Sequence, residues 1–168
     1  MNIFASSFYQ TLDVKGDMSV LKKVLCFAII LAVIDMIWLY GGSAFHKEMV
    51  MSVQKSPLEF AYSGQYAAAI CFYLLAGLSY VYIIEPLAKA SHAGTQAGTH
   101  AGTQAGTQAV TRSVGVSGAM VGAAMYFTFD LTNKAIFKDY TWKYVAMDGA
   151  WGTFAMSAAS MIMHMCNL

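Results

Sequence analysis

The chain of 168 residues balances 10 Lys and Arg against 9 Asp and Glu, for a formal net charge of +1, and only 11% of it is charged while 58% is hydrophobic. A mean hydropathy of +0.52 and a charged fraction below half of the roughly one quarter usual in soluble domains mark a membrane protein. Near-neutral charge excludes the basic footprint of a nucleic-acid binder. Cys26, Cys71 and Cys166 form no C-x-x-C pair and meet no paired-histidine motif, so neither a disulfide framework nor a zinc site is implied.

Residues 1–19 form an N-terminal tail without the apolar core of a cleavable signal peptide, so the first span is expected to be retained. Ile3, Phe4, Phe8 and Leu12 could line one stripe of a short interfacial helix, although a frayed tail is the simpler reading. Four apolar runs follow, about 20–45, 61–84, 114–135 and 142–165, each long enough for the roughly 20 residues a bilayer crossing needs. The predicted fold is therefore all-α and integral to the membrane: residues 20–168 make a four-transmembrane-helix antiparallel bundle with short connections and one low-complexity loop.

The connections at 46–60 and 136–141 are short enough to set neighbouring spans antiparallel. Pro57 suits the first connection, and Pro86 suits a stop just beyond the second span, because proline breaks a helix interior. Residues 88–113 are expected to be a flexible repeat-bearing loop. Its tetrads AGTQ, AGTH, AGTQ and AGTQ, from Ala93 to Gln108, are small and polar and cannot bury a core. His92 and His100 there read as bystanders of a tandem repeat rather than as metal ligands.

Lys15, Lys22, Lys23, Lys89 and Arg112 fall on the face with the termini, and Lys47, Lys55, Lys134, Lys138 and Lys143 on the other, so the positive-inside rule returns a tie. Lys22 and Lys23, which abut the first span, tip the expectation toward cytoplasmic termini.

Within this apolar frame three aspartates need explaining. Asp35, Asp130 and Asp148 lie roughly 8–15 Å from one and the same membrane face at 1.5 Å per helical residue, and Gln65 enters the second span at that level. Helical spacing places Asp148 on one side with Gly152, Ala155 and Ala159, and Asp130 with Gly115, Ala119, Gly122 and Ala123. Small residues mark helix–helix contact in membranes, so the acids are expected to converge inside the bundle. Asp35-Met-Ile-Trp38 and Asp148-Gly-Ala-Trp151 repeat one pattern and Asp130-Leu-Thr-Asn133 varies it; at i, i+3 the indole or amide can donate to the carboxylate of its own helix, or both can line a shared cavity. The candidate ligand- or ion-binding residues are thus Asp35, Trp38, Gln65, Asp130, Asn133, Asp148 and Trp151. Three like charges held close together cannot all ionise cheaply. A calcium or magnesium site through the three aspartates lacks any loop motif, so no metal and no cofactor is assigned. Among the aromatics, Tyr140 and Trp142 read as belt residues, while Tyr66 and Tyr126 sit nearer the acidic level, where packing is the simpler role.

The segment YFTFDLTNKAIFKDYTWKYVAMDGAWGT from Tyr126, with Asp35-x-x-Trp38-Leu39 and CFYLLAGL from Cys71, resembles the membrane proteins grouped as domain of unknown function 2177. Asp35, Trp38, Asp130, Thr132, Asn133, Asp148, Trp151, Gly152 and Thr153 occupy the family pattern. Phe129 stands where the family usually has Tyr, residues 1–17 are extra, and the AGTQ tract lengthens a loop. The resemblance implies a short four-helix fold with shared polar positions, and no activity.

Three functions fit an intramembrane acidic cluster. The first is binding or transport of a small molecule, cation or proton; the second a non-catalytic scaffold or assembly factor; the third an enzyme using Asp130 and Asp148 as acid and base. Membrane lipids, a small-molecule or cation ligand and a second copy packed through Gly118-x-x-x-Gly122 are the expected partners.

Overall fold

The computed structural model describes residues 14–57, 63–96 and 103–168; the stripe over residues 3–12 and His100 lie outside these. The described elements are all helical: α1 Val14–Gly41, α2 Ser43–Gln54, α3 Ser63–Ser79, a π-helical turn Tyr80–Ile84, α4 Glu85–Gln96, α5 Thr103–Ile136 and α6 Trp142–Met165. Among the described residues, three stretches are long and apolar enough to cross a membrane: Ser19–Gly41, Gly64–Ser91 and Gln108–Ile136. At 24 residues α6 has comparable length. Its Lys143, Asp148 and repeated Gly and Ser lower its apolarity.

α5 and α6 make the closest helix pair. Gly115 faces Met161, Gly118 faces Ser160 and Gly122 faces Gly152, so numbers rise on one helix as they fall on the other and the two run antiparallel. A Cβ at Gly118 would stand 2.5 Å from Ser160 Oγ, and one at Gly122 would stand 2.5 Å from the Gly152 carbonyl oxygen. The Gly118-x-x-x-Gly122 face, expected to join two copies, is therefore taken up inside the chain. Gly152, Ala155 and Ala159 of α6 offer the matching small surface, and the close approach that small residues permit is already made there.

α1 lies antiparallel to both α6 and the second apolar stretch. Phe27 stacks on Tyr80 with centroids 4.9 Å apart, and Gly77 sits so close to the Val24 backbone that a Cβ would meet its carbonyl oxygen at 2.5 Å. Phe27, Leu31, Ile84, Met156 and Met163 are fully buried and fill the space between these helices. At the far end, Lys23 reaches both Glu85 oxygens at 3.0 Å and Lys89 reaches Oε1 at 2.7 Å.

Two expectations about the second apolar stretch change. Pro86 does not end the helix, which continues from Ser63 to Gln96. In a regular helix the proline ring would press on a carbonyl one turn back and leave it without a donor. Here the preceding turn widens to a π form, with the Glu85 N–H reaching the Tyr80 carbonyl, and the chain passes the proline unbroken. The repeat tract is also less loop-like than its composition suggests, since α4 runs to Gln96 and α5 begins at Thr103. Ala and Gln are good helix formers, and a span already nucleated propagates into them.

The first connection is likewise structured. α1 stops at Gly41 rather than near residue 45, and α2 turns across the end of α6. Met49 is buried there against Tyr140 and Val145. Ser52 Oγ donates to the Asp139 carbonyl at 3.3 Å, and Lys55 Nζ binds the Asp139 carboxylate at 2.7 Å. Lys55 beside it holds the Asp139 carboxyl below its ordinary value. A depressed folded value means this contact supports the fold above the unfolded value of about 3.9 and is lost as pH falls through the lower folded one.

Replacing Gly122 by Leu should separate α5 from α6 and lower stability by about 1–3 kcal/mol or more. The measurement is thermal or denaturant unfolding in detergent; an unchanged midpoint would refute the close contact.

Candidate functional site

Asp35 and Trp38 stand one turn apart near the end of α1, and Asp148 and Trp151 stand one turn apart near the start of α6. Because the helices are antiparallel, an acid–indole order on one meets an indole–acid order on the other. Trp151 Nε1 donates to Asp35 Oδ1 at 2.9 Å, and Trp38 Nε1 donates to Asp148 Oδ1 at 2.9 Å. The two indoles stack between these bonds, centroids 5.2 Å apart and planes 11° from parallel. Each tryptophan thus serves the carboxylate of the opposite helix, where the i, i+3 spacing suggests donation to its own. Hydrogen bonds to a charged group are worth about 1.5–3 kcal/mol each, and stacking adds roughly 0.5–1.5 kcal/mol.

Asp35 is further held by the Tyr126 hydroxyl, which donates to Oδ2 at 3.2 Å, with the Tyr73 hydroxyl beside it. Asp148 faces His46, whose Nδ1 is 2.9 Å from the Tyr144 hydroxyl and whose ring meets Trp38 edge-on at 5.1 Å. Gly42 permits that placement, since a Cβ there would come within 3.1 Å of His46 Nε2. Among the described residues the ion pairs are Lys23–Glu85, Lys89–Glu85 and Lys55–Asp139, so neither acid is matched by a lysine or arginine.

Both carboxylates line a cavity of about 770 Å³. Trp38, His46, Tyr73, Tyr126 and Tyr144 share its polar end, and Val121, Ala124, Met125 and Ile83 line the remainder. On α5 the lining positions 121, 124, 125 and 128 form one helical stripe, while Gly115, Gly118 and Gly122 form the stripe against α6.

Asp130 lies apart. It is fully buried and accepts a hydrogen bond from Tyr140 at Oδ1, while its Oδ2 is buried without a partner among the described residues. Asn133 reaches the same Tyr140 hydroxyl. Burial first, and then the Asp130 carboxyl, push the Tyr140 hydroxyl well above its ordinary value, which keeps it a donor. Asp130 and Asn133 do not line the cavity, nor does Gln65. Among the described residues no three His, Cys, Asp or Glu side chains group in a way that could hold a metal ion.

The structure therefore joins Asp35, Trp38, Asp148 and Trp151 and sets Asp130 with Asn133 under the turn between α5 and α6. Tyr140, expected in the interfacial belt, is 7% exposed because Asp130 needs a donor. Trp142, 65% exposed with Lys134 over its ring, has the surroundings of a belt residue. His46 and Tyr144 carry no signal in the sequence beyond their closeness to the acidic level. Tyr126 lines the cavity; Tyr66 does not, and is 56% exposed.

Several apolar helices of bilayer length, with polar side chains facing one another between the described helices, mark the chain as a membrane protein. It belongs to the family described as predicted membrane protein, domain of unknown function 2177 (DUF2177), whose profile matches residues 20–165. No curated protein and no solved structure matches the chain.

Trp151→Phe keeps a stacked ring but removes the donor to Asp35, and unfolding in detergent should show a loss of about 1–3 kcal/mol. Equal stability of variant and parent would dismiss the exchanged bonds. For Tyr140→Phe and Asp130→Asn, a double-mutant cycle should give coupling above roughly 0.5 kcal/mol; additive losses would separate the two residues.

Proposed function

We propose that this is a four-span membrane protein that binds a small molecule between its helices, with Asp35 and Asp148 accepting hydrogen bonds from, or neutralising the charge of, the bound group. The observation that carries this reading is the pair of carboxylates fixed by exchanged indoles at one end of a 770 Å³ cavity, with no lysine or arginine among its lining residues. Desolvated carboxylates are costly in a membrane, and a ligand bearing donors or positive charge offsets that cost. The volume is in the range of ordinary small-molecule sites.

α6 serves as the fourth span in this reading. Its 24 residues reach about 36 Å at 1.5 Å each, enough for a hydrocarbon core of about 30 Å. Its Gly149, Gly152 and Ser160 are buried, while its exposed large side chains include Trp142, Met147, Phe154, Ile162 and Met165. Gln65, Asp130 and Asn133 lie outside the cavity in this reading. Transport needs a further step: Phe27, Leu31, Tyr80, Ile84 and Met156 pack the bundle shut beyond the cavity, and carriage across the membrane requires that core to open.

The test uses a Trp142→Phe protein in nanodiscs, whose emission then comes from Trp38 and Trp151. Phenethylammonium, a short aromatic cation, should change that emission saturably, and Asp148→Asn should weaken the effect at least tenfold while leaving the melting temperature within a few degrees. No saturable response to this probe or to other short amines and alcohols, from a folded protein, would reject the binding site.

A further inference from the structure

The cavity has a direction. Its polar end, with His46, Tyr144, Asp148 and Asp35, lies toward α2 and the 137–141 turn, and its apolar end, with Val121 and Ile83, lies deeper along α5 and the π-helical turn. From Phe72 to Ile83 the wall on the second apolar stretch runs about 16 Å at 1.5 Å per residue, roughly half of a 30 Å hydrocarbon core. A lipid-like molecule in that leaflet is polarised the same way, with its head toward the surface and its chain toward the midplane.

The cavity is also continuous with the surface that faces lipid. Leu39, Ile83 and Phe129 line it and are at the same time 47%, 50% and 63% exposed. α3 packs on α1, whereas the second apolar stretch meets α5 chiefly through the π-helical turn and α4. Between α3 and the latter half of α5 the wall is left to side chains such as Phe72 and Tyr126, whose rings meet edge-on at 5.8 Å. A molecule already dissolved in the bilayer reaches the carboxylates through this side without crossing water.

The polar end selects the head. Two carboxylates repel an acid or a phosphate; an alcohol brings one donor, a protonated amine three. Trp38, Phe72, Tyr73, Tyr126 and Tyr144 line the site with aromatic rings, and an aromatic lining favours a cation over an anion. His46, whose Nε2 is buried without a partner among the described residues, also lines this end.

We propose that the ligand is an amphiphilic amine, a protonated amino head on a hydrocarbon chain, which enters sideways from the leaflet on the α2 side between α3 and α5. This rests on the binding site proposed above and adds the chain and the route.

The experiment titrates Trp142→Phe protein in zwitterionic nanodiscs with a dibrominated C18 alkylamine, its alcohol and its carboxylic acid, since bromine quenches nearby indoles. The amine should quench saturably at least tenfold more tightly than the alcohol or the acid, and unbrominated alkylamine should reverse it. Ala124→Phe, a substitution on the apolar wall of the cavity, should weaken the alkylamine at least tenfold more than it weakens phenethylammonium. Equal quenching by amine and alcohol, or no reversal by unbrominated amine, overturns the proposal. If phenethylammonium binds in an Asp148-dependent way and the alkylamine does not, the binding site stands and the amphiphile falls; if neither binds a folded protein, both fall.

Discussion

Everything near the acidic end of this bundle is arranged around the crossed pair of indole–carboxylate hydrogen bonds between α1 and α6. A carboxylate between membrane helices must be satisfied by something, and with no lysine or arginine paired to it among the described residues the donors here are neutral. Antiparallel helices bearing the same acid–indole spacing solve this reciprocally, because each supplies what the other lacks. The stack of Trp38 on Trp151 then locks the distance between the helices at that level. Since α6 is tied along its length to α5 through glycine contacts, the same exchange fixes α1 relative to the α5–α6 pair.

With those three helices fixed, the second apolar stretch is the variable one. Its π-helical end joins the core through Tyr80 and Ile84, while its first part leaves α5 and opens the cavity. The space is thus a product of unequal packing: glycine-tight on one side of α5, wide on the other. The stripe of Val121, Ala124, Met125 and Thr128 shows on α5 itself which side is which.

Much of the acidic site could be read from residue order. The repeated D-x-x-W pattern marked four side chains that do meet, and the small residues of α5 and α6 marked their mutual faces. What residue order could not supply was the partner of each donor, because i, i+3 spacing describes neighbours on one helix and the bonds cross to another. The small-residue face was legible as a contact surface but not as one satisfied within the chain, since Gly118 and Gly122 read the same whether α6 or a second copy approaches. Asp130 was grouped with the other acids by depth and by the small residues on its side of the helix; neither says anything of the turn that brings Tyr140 over it. Pro86 misled for a related reason: the rule that proline ends a helix assumes a regular preceding turn, and here that turn is widened.

The widened turn at Tyr80–Ile84 also restricts how the chain can vary in length. Each residue in a helix advances the side chains by about 100°, so deleting one there would restore a regular helix yet rotate everything beyond it. Glu85 would swing away from Lys23, and the fully buried Ile84 would leave its seat in the core. A single residue in that turn is therefore indispensable to the phase of everything that follows it in the helix.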